Sequence, residues 1–247
     1  MDKKSSAKII KFPEKKKSSG TEASVVNMAH RIDQLKTEKH LICEMAARTI
    51  LQALDAKDNY TFKHSMRVCY FSMVMGRELK LSDRAMYDLQ LAALFHDIGK
   101  IGTPDAILNK PARLNEEEFK IMKNHPQKSY EILSGFEVFQ KAALYAKHHH
   151  ERYDGRGYPD RLKGSKIPLF SRILLIADTF DAMTSTRAYR KGLPYSVAFR
   201  ELIELSGSQF DPGLVKHFIK GMRKEESKKE KEFFVPLMNR YFDKKAA

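Results

Sequence analysis

From Ala23 to Leu54 apolar residues return at intervals of three and four: Val26, Met28, Ile32, Leu35, Leu41, Ile42, Met45, Ala46, Ile50, Leu51 and Leu54. That period puts them on one side of a helix, so the spacing predicts one long amphipathic helix over 23–57, with or without a break. Two uses of its stripe are open at this point, packing against the domain that follows or pairing with a second copy. From Asn59 to the end almost every segment again has helical period. Ser82 is a suitable N-cap for the stretch that opens at Asp83. Asn115 stands before Glu116, Glu117 and Glu118, acids that favour a first turn, and Pro168 suits the start of the apolar run that ends near Ser185. Strand signals are scarce. The one long turn-rich stretch, 151–168, holds three Gly and two Pro in eighteen residues. Residues 1–22, rich in Lys and Ser around Pro13 and Gly20, carry too little apolar content to offset ordering entropy and are expected to be disordered. The expected fold class is all-α, with one large loop available for function.

Composition narrows the class of protein. The chain has 247 residues, 42% of them hydrophobic and 31% charged, which excludes a wholly disordered chain and supplies a packed core for one or two domains. No apolar run approaches the roughly 20 residues that cross a bilayer, and the N-terminus lacks the apolar centre of a signal peptide. A cytoplasmic protein is expected. The formal net charge is +14, of which residues 1–20 and 216–247 contribute +5 each, leaving only +4 for everything between. The basic excess sits in the tails, so nucleic acid is not the expected partner. Cys43 and Cys69 cannot build a disulfide framework, and both are expected to be small buried apolar groups.

The histidines change the picture. Six of the nine fall between His64 and His150, interleaved with acids: His64, His96, Asp97, His125, His148, His149, His150 and then Asp178. His96 and Asp97 end the apolar run from Leu89 to Phe95, which would carry a charged pair into the core. Burial of that kind costs several kcal/mol unless the charge is paired or bound to metal. Asp178 arrives in the same way, after Ile173 to Ala177. Imidazole and carboxylate without thiolate favour Fe, Mn, Zn, Co or Ni over Ca or Mg. The candidates are too many for one tetrahedral ion. Two ions bridged by a carboxylate fit better, an arrangement suited to displacement at phosphorus. Lys100, three residues after Asp97, would stand on the same side and neutralise phosphate charge.

His96, Asp97 and Lys100 resemble the HD-x-x-K signature of the HD superfamily of metal-dependent phosphohydrolases. Gly157-Tyr158-Pro159 resembles the GYP motif of its HD-GYP subfamily, bacterial cyclic di-GMP phosphodiesterases. The likeness runs from about Asp58 to Phe218, through the His64, His96, His125, His149–Glu151 and Asp178 segments in the family's order. It implies an HD-type helical bundle over 58–222, preceded by the N-terminal helix at 23–57 and followed by a charged helix at 223–247. It further implies metal ligation by His64, His96, Asp97, His125, His149, His150 and Asp178, with Asp97 bridging. His148 is extra and is expected near the site or at the surface. Lys100 matches a lysine that holds substrate phosphate, Arg187 a basic residue near the phosphates, and Tyr158 a residue at the guanine pocket or on a partner-facing loop. The implied reaction is hydrolysis of cyclic di-GMP by two divalent ions, Fe or Mn, to linear pGpG, GMP or both, with Asp97 and Lys100 as catalytic groups. A diguanylate cyclase or other signalling protein docking on the GYP loop is the implied partner, and the stripe of the N-terminal helix, where it pairs with a second copy, adds a homodimer to the expectations. Tyr60 stands where some members carry a Glu that supports a third metal, so two metals are expected. Ala188 replaces a usual Pro. Two alternatives remain at this level: a non-catalytic adaptor that binds cyclic dinucleotide, and another HD-type nucleotide phosphohydrolase.

Overall fold

The computed structural model describes residues 19–186 and 191–226. Ten α-helices succeed one another with no strand among the described residues. They are α1 (Ser19–Lys57), α2 (Asn59–Glu78), α3 (Asp83–Phe95), α4 (Asp105–Leu108), α5 (Glu116–Met122), α6 (His125–Ser134), α7 (Gln140–Lys147), α8 (Leu169–Thr184), α9 (Tyr195–Glu204) and α10 (Pro212–Glu226). The all-α expectation holds.

Helix starts follow the sequence chemistry. Asp58 caps α2 by accepting the Tyr60 N–H at 3.0 Å. Ser82 caps α3. Asn115 and Glu118 form a reciprocal capping box at α5. The core of the main unit is built around α2, which packs on α3, α8 and α10, while α7 closes the other side against α3, α6 and α8. Phe71 of α2, Phe180 of α8 and Phe218 of α10 meet edge to face with ring centres 5.0–6.4 Å apart.

Three boundaries differ from the sequence expectation. α1 begins at Ser19, so the last four residues of the segment expected to be disordered are helical, and residues 1–18 lie outside the described residues. The chain separates into two compact units at Met45 and Ala46, within α1 and not after it. The reason is burial: Ala47, Leu51 and Leu54 are at most 1% exposed in the core of the second unit. At the other end α10 runs through the expected break at 222–223 to Glu226. The remainder of the expected charged helix lies outside the described residues. Cys69 is buried as expected, but Cys43 is only partly so.

Glu78, at the end of α2, accepts Lys220 and Lys224 of α10, each at 2.5 Å. The two ammonium groups hold its pKa down at about 2. A carboxyl depressed by folding stabilises the native state above its unfolded pKa and loses that contribution as pH falls toward the folded value. Glu78→Gln is therefore expected to lower the melting temperature at pH 7. The gap from wild type should close between about pH 4.5 and pH 2 in thermal scans.

Candidate metal centre

Five elements converge on one buried carboxylate. His64 comes from the middle of α2, His96 from the end of α3, His125 from the first residue of α6, and Asp178 from α8. His149 and His150 follow the end of α7. Asp97 sits between them, 2% exposed. Its two oxygens face different rings. Oδ2 lies 3.5 Å from His64 Nε2 and 3.4 Å from His96 Nε2. Oδ1 lies 3.1 Å from His125 Nε2 and 3.9 Å from His149 Nε2. Asp178 adds a second carboxylate on the first side, its Oδ1 3.1 Å from His64 Nε2. His150 stands on the second side, ring centres 5.0 Å from His125 and 4.0 Å from His149.

Backbone contacts decide which nitrogen of each ring points inward. His96, His125 and His149 donate Nδ1–H to the carbonyls of Ala93, Met122 and Ala146 at 2.8, 2.7 and 2.6 Å, each three residues back. In the neutral ring this leaves Nε2 as a lone pair aimed at the carboxylate. His64 is fixed by Asp181, whose Oδ2 accepts from Nδ1 at 2.7 Å. Asp181 is itself gripped by Arg67 through two contacts of 2.6 and 3.0 Å and by the Ser185 hydroxyl at 2.9 Å. Lone pairs facing a carboxylate repel one another unless a cation lies between them. His96 Nε2 is buried without a hydrogen-bond partner, and the Nε2 atoms of His125 and His149 are 3.5 Å apart. These are the signs of donors arranged for metal.

Electrostatics agree. Burial, reinforced by neighbouring imidazoles, pushes His149 well below its usual pKa and His150 down to about 3. Burial also lowers His96. Neutral rings are what metal ligation requires. At His64 burial also acts downward, but Asp178 and Asp181 outweigh it and raise the ring to about 9. The carboxylates thus hold a positive charge at that ring, supplied by a proton or by a metal ion. Asp97 keeps its charge despite burial because Lys100, His96 and His125 hold its pKa well below the carboxylate range. Three donor groups are close enough to share an ion: His64–His96–Asp178, His96–Asp97–His149 and His125–His149–His150. Every residue expected as a ligand falls in one of them. His148 does not. It is buried, but its Nε2 bonds Asp160 at 2.9 Å and its Nδ1 the Leu144 carbonyl at 3.0 Å, so it ties the GYP loop to α7.

The surrounding chain is shaped to keep this arrangement. A Cβ at Gly99 would lie 2.1 Å from the His125 carbonyl oxygen, so only glycine lets the turn after Asp97 approach α6. Ser129 Oγ then accepts the Gly99 N–H at 2.9 Å and donates to the His96 carbonyl at 2.8 Å. Buried Glu151 receives the Asp160 amide at 2.6 Å and faces those of Arg161 and Leu162, which shapes the GYP loop from inside. Tyr158 lies over His150, ring centres 4.9 Å apart. Lys100 Nζ is 2.6 Å from Asp97 Oδ2. A cleft of about 520 Å³ opens on the cluster, lined by His64, Asp178, Lys100, Tyr60, Asn109 and Lys110 among others. A groove of about 740 Å³ elsewhere, between α9 and α10, contains none of the clustered histidines. Arg187 and Ala188 lie outside the described residues.

Residues 48–214 match the HD domain family. The chain belongs to that family. Among curated proteins this HD domain chain is 40% identical over 70% of its length to the cyclic di-GMP phosphodiesterase response regulator RpfG of Xanthomonas campestris, covering 46% of that protein. It is 44% identical over 66% of its length to a cyclic di-GMP phosphodiesterase of Thermotoga maritima, covering 45% of it. A 3′3′-cGAMP-specific phosphodiesterase 3 of Vibrio cholerae is 40% identical over 64% of this chain and 35% of its own length. The chain thus spans less than half the length of these relatives. Among solved structures, a cyclic GMP-AMP specific phosphodiesterase of V. cholerae aligns with TM-score 0.59 at 22% identity, over 79% of this chain and 53% of that one. The Listeria monocytogenes PgpH HD domain, in complex with cyclic-di-AMP, aligns with TM-score 0.53 at 17% identity, over 72% and 95%. Both support the HD fold. No helix among the described residues is long and apolar enough to cross a membrane.

Sequence reasoning missed Asp181, Arg67, Glu151 and Ser129. The signal for two of them was present: Asp181 follows Asp178 by three in a buried helix, and Arg67 follows His64 by three, the spacings that share a helix face. Asp181→Asn is expected to weaken metal binding by roughly ten- to a hundredfold without unfolding the chain, as loss of an outer carboxylate does. Titration of metal-free protein measures it. His96→Ala or Asp97→Ala should lose bound metal outright in elemental analysis. His148→Ala should keep it, and metal loss there would mean that the wrong pair had been taken from the histidine triplet.

Proposed function

We propose that this chain hydrolyses a phosphodiester bond of cyclic di-GMP, in the cytoplasm, with two divalent metal ions, Fe or Mn, at the His–Asp cluster. The observation that carries the proposal is the divided carboxylate. Asp97 turns one oxygen toward His64 and His96 and the other toward His125 and His149, the disposition of a bridging ligand. In this assignment His64, His96, Asp97 and Asp178 hold one ion, and Asp97, His125, His149 and His150 hold the other. Such a pair supplies Lewis acidity and lowers the pKa of water for in-line attack at phosphorus. The names of the relatives favour a cyclic dinucleotide as substrate.

The chain's own residues do the rest. The Nδ1 contacts to Ala93, Met122 and Ala146 fix the orientation of three rings and aim Nε2 inward. Lys100, 23% exposed at its side chain and paired with Asp97, stands on the cleft side of the cluster. A divalent cation at Asp97 would compete with that ammonium, which then meets a substrate phosphate in the cleft. Tyr158 and Arg187 are assigned to the substrate, Tyr158 from its place above His150. Products are linear pGpG, GMP or both. Docking of a diguanylate cyclase or other signalling protein is assigned to the exposed side of the GYP loop. The adaptor alternative has nothing specific in its favour, since every ligand position is filled.

Lys100→Ala is expected to retain two metals and lose ten- to a hundredfold in kcat/KM, the equivalent of about 1.5–3 kcal/mol for a charge-assisted contact. Metal content and steady-state kinetics on one preparation measure it. Unchanged kcat/KM would remove the phosphate role, and loss of metal would place Lys100 in support of the metal shell.

A further inference from the structure

The N-terminal unit presents an apolar line that the proposed hydrolysis does not use. Met28, Leu35 and Ile42 are 65, 48 and 66% exposed, and Met45 is 59% exposed. The first three recur at intervals of seven on one helix. In sequence, positions 25, 32, 39 and 46 are Val, Ile, Lys and Ala, which completes a 3-4 alternation over three heptads. In heptad notation Met28, Leu35 and Ile42 are d positions and the second set a positions. This is not the stripe that packs the catalytic unit. Ala47, Leu51 and Leu54, which are buried there, fall roughly 100° farther round in helical register. An exposed apolar line adds little stability to a helix in water, and a heptad repeat is complementary to a copy of itself.

We propose that residues 25–46 pair with the same segment of a second copy of this chain as an antiparallel two-stranded coiled coil. Charge decides the direction. Arg31 and Glu38, both exposed, occupy successive g positions. A parallel pair would set Arg31 against position 36 of its mate, a lysine and thus a like charge, twice over, and would stack position 39, also a lysine, on its own copy. An antiparallel pair that aligns positions 25 with 42, 28 with 39 and 32 with 35 sets Arg31 against Glu38 of the mate, twice, and removes the lysine-on-lysine layer. Opposed helix dipoles favour the same direction.

Sedimentation of the full chain tests this, with thermal denaturation and hydrolysis measured on each variant. The wild type is expected to be a dimer. Leu35→Glu with Ile42→Glu should be a monomer with the same turnover, because neither residue lies in the catalytic unit. Arg31→Glu should weaken self-association roughly tenfold, and adding Glu38→Arg should restore it. A monomeric wild type, or a dimer that survives the double glutamate substitution, overturns the coiled coil. Tighter association in Arg31→Glu overturns the antiparallel register, since that change would pair with position 36 in a parallel dimer. Loss of hydrolysis in the wild type would count against the assigned reaction and leave the dimer test untouched.

Discussion

An ionised carboxylate, Asp97, is held 2% exposed among four imidazoles, and the rest of the site follows from that constraint. Removing such a charge from water costs several kcal/mol unless positive charge comes with it. Lys100 supplies part at 2.6 Å, and the ring of Nε2 lone pairs calls for more. The convergence of α2, α3, α6 and α8 with the residues that follow α7 makes sense as the means of bringing donors to this one group from every side.

Stiffness is built into each donor. Three rings are pinned to carbonyls three residues back, in the last turn of α3, α5 and α7, where a helix end leaves such groups available. His64 lies within α2, where carbonyls are already engaged, and it is pinned instead by a carboxylate with its own guanidinium and hydroxyl partners. Gly99 and Ser129 fix the distance between the Asp97 turn and α6. The GYP loop is hung from the same framework by Glu151 and His148, so Tyr158 reaches His150 from a loop anchored beside the clustered histidines. A large shift of any one helix would move a donor by more than a metal coordination shell tolerates.

Much of this was legible in the sequence for definite reasons. Period and caps located the helices, and His96-Asp97 at the end of an apolar run exposed the site, because charge in a core needs a cause. The outer partners were harder to read. Asp181 and Arg67 look like ordinary helix residues until tertiary packing puts α2 beside α8. His148 belongs to a triplet whose members differ only in which way the chain turns after α7. The unit boundary within α1 was hidden because the buried Ala47, Leu51 and Leu54 and the exposed Met28, Leu35 and Ile42 belong to one run of apolar residues at helical spacing.

Anomalous diffraction from crystals loaded with Mn or Fe tests the bridging carboxylate most directly. Two peaks about 3.5–4 Å apart, one beside each oxygen of Asp97, are the predicted result. A single peak, or two peaks of which Asp97 touches only one, would contradict it.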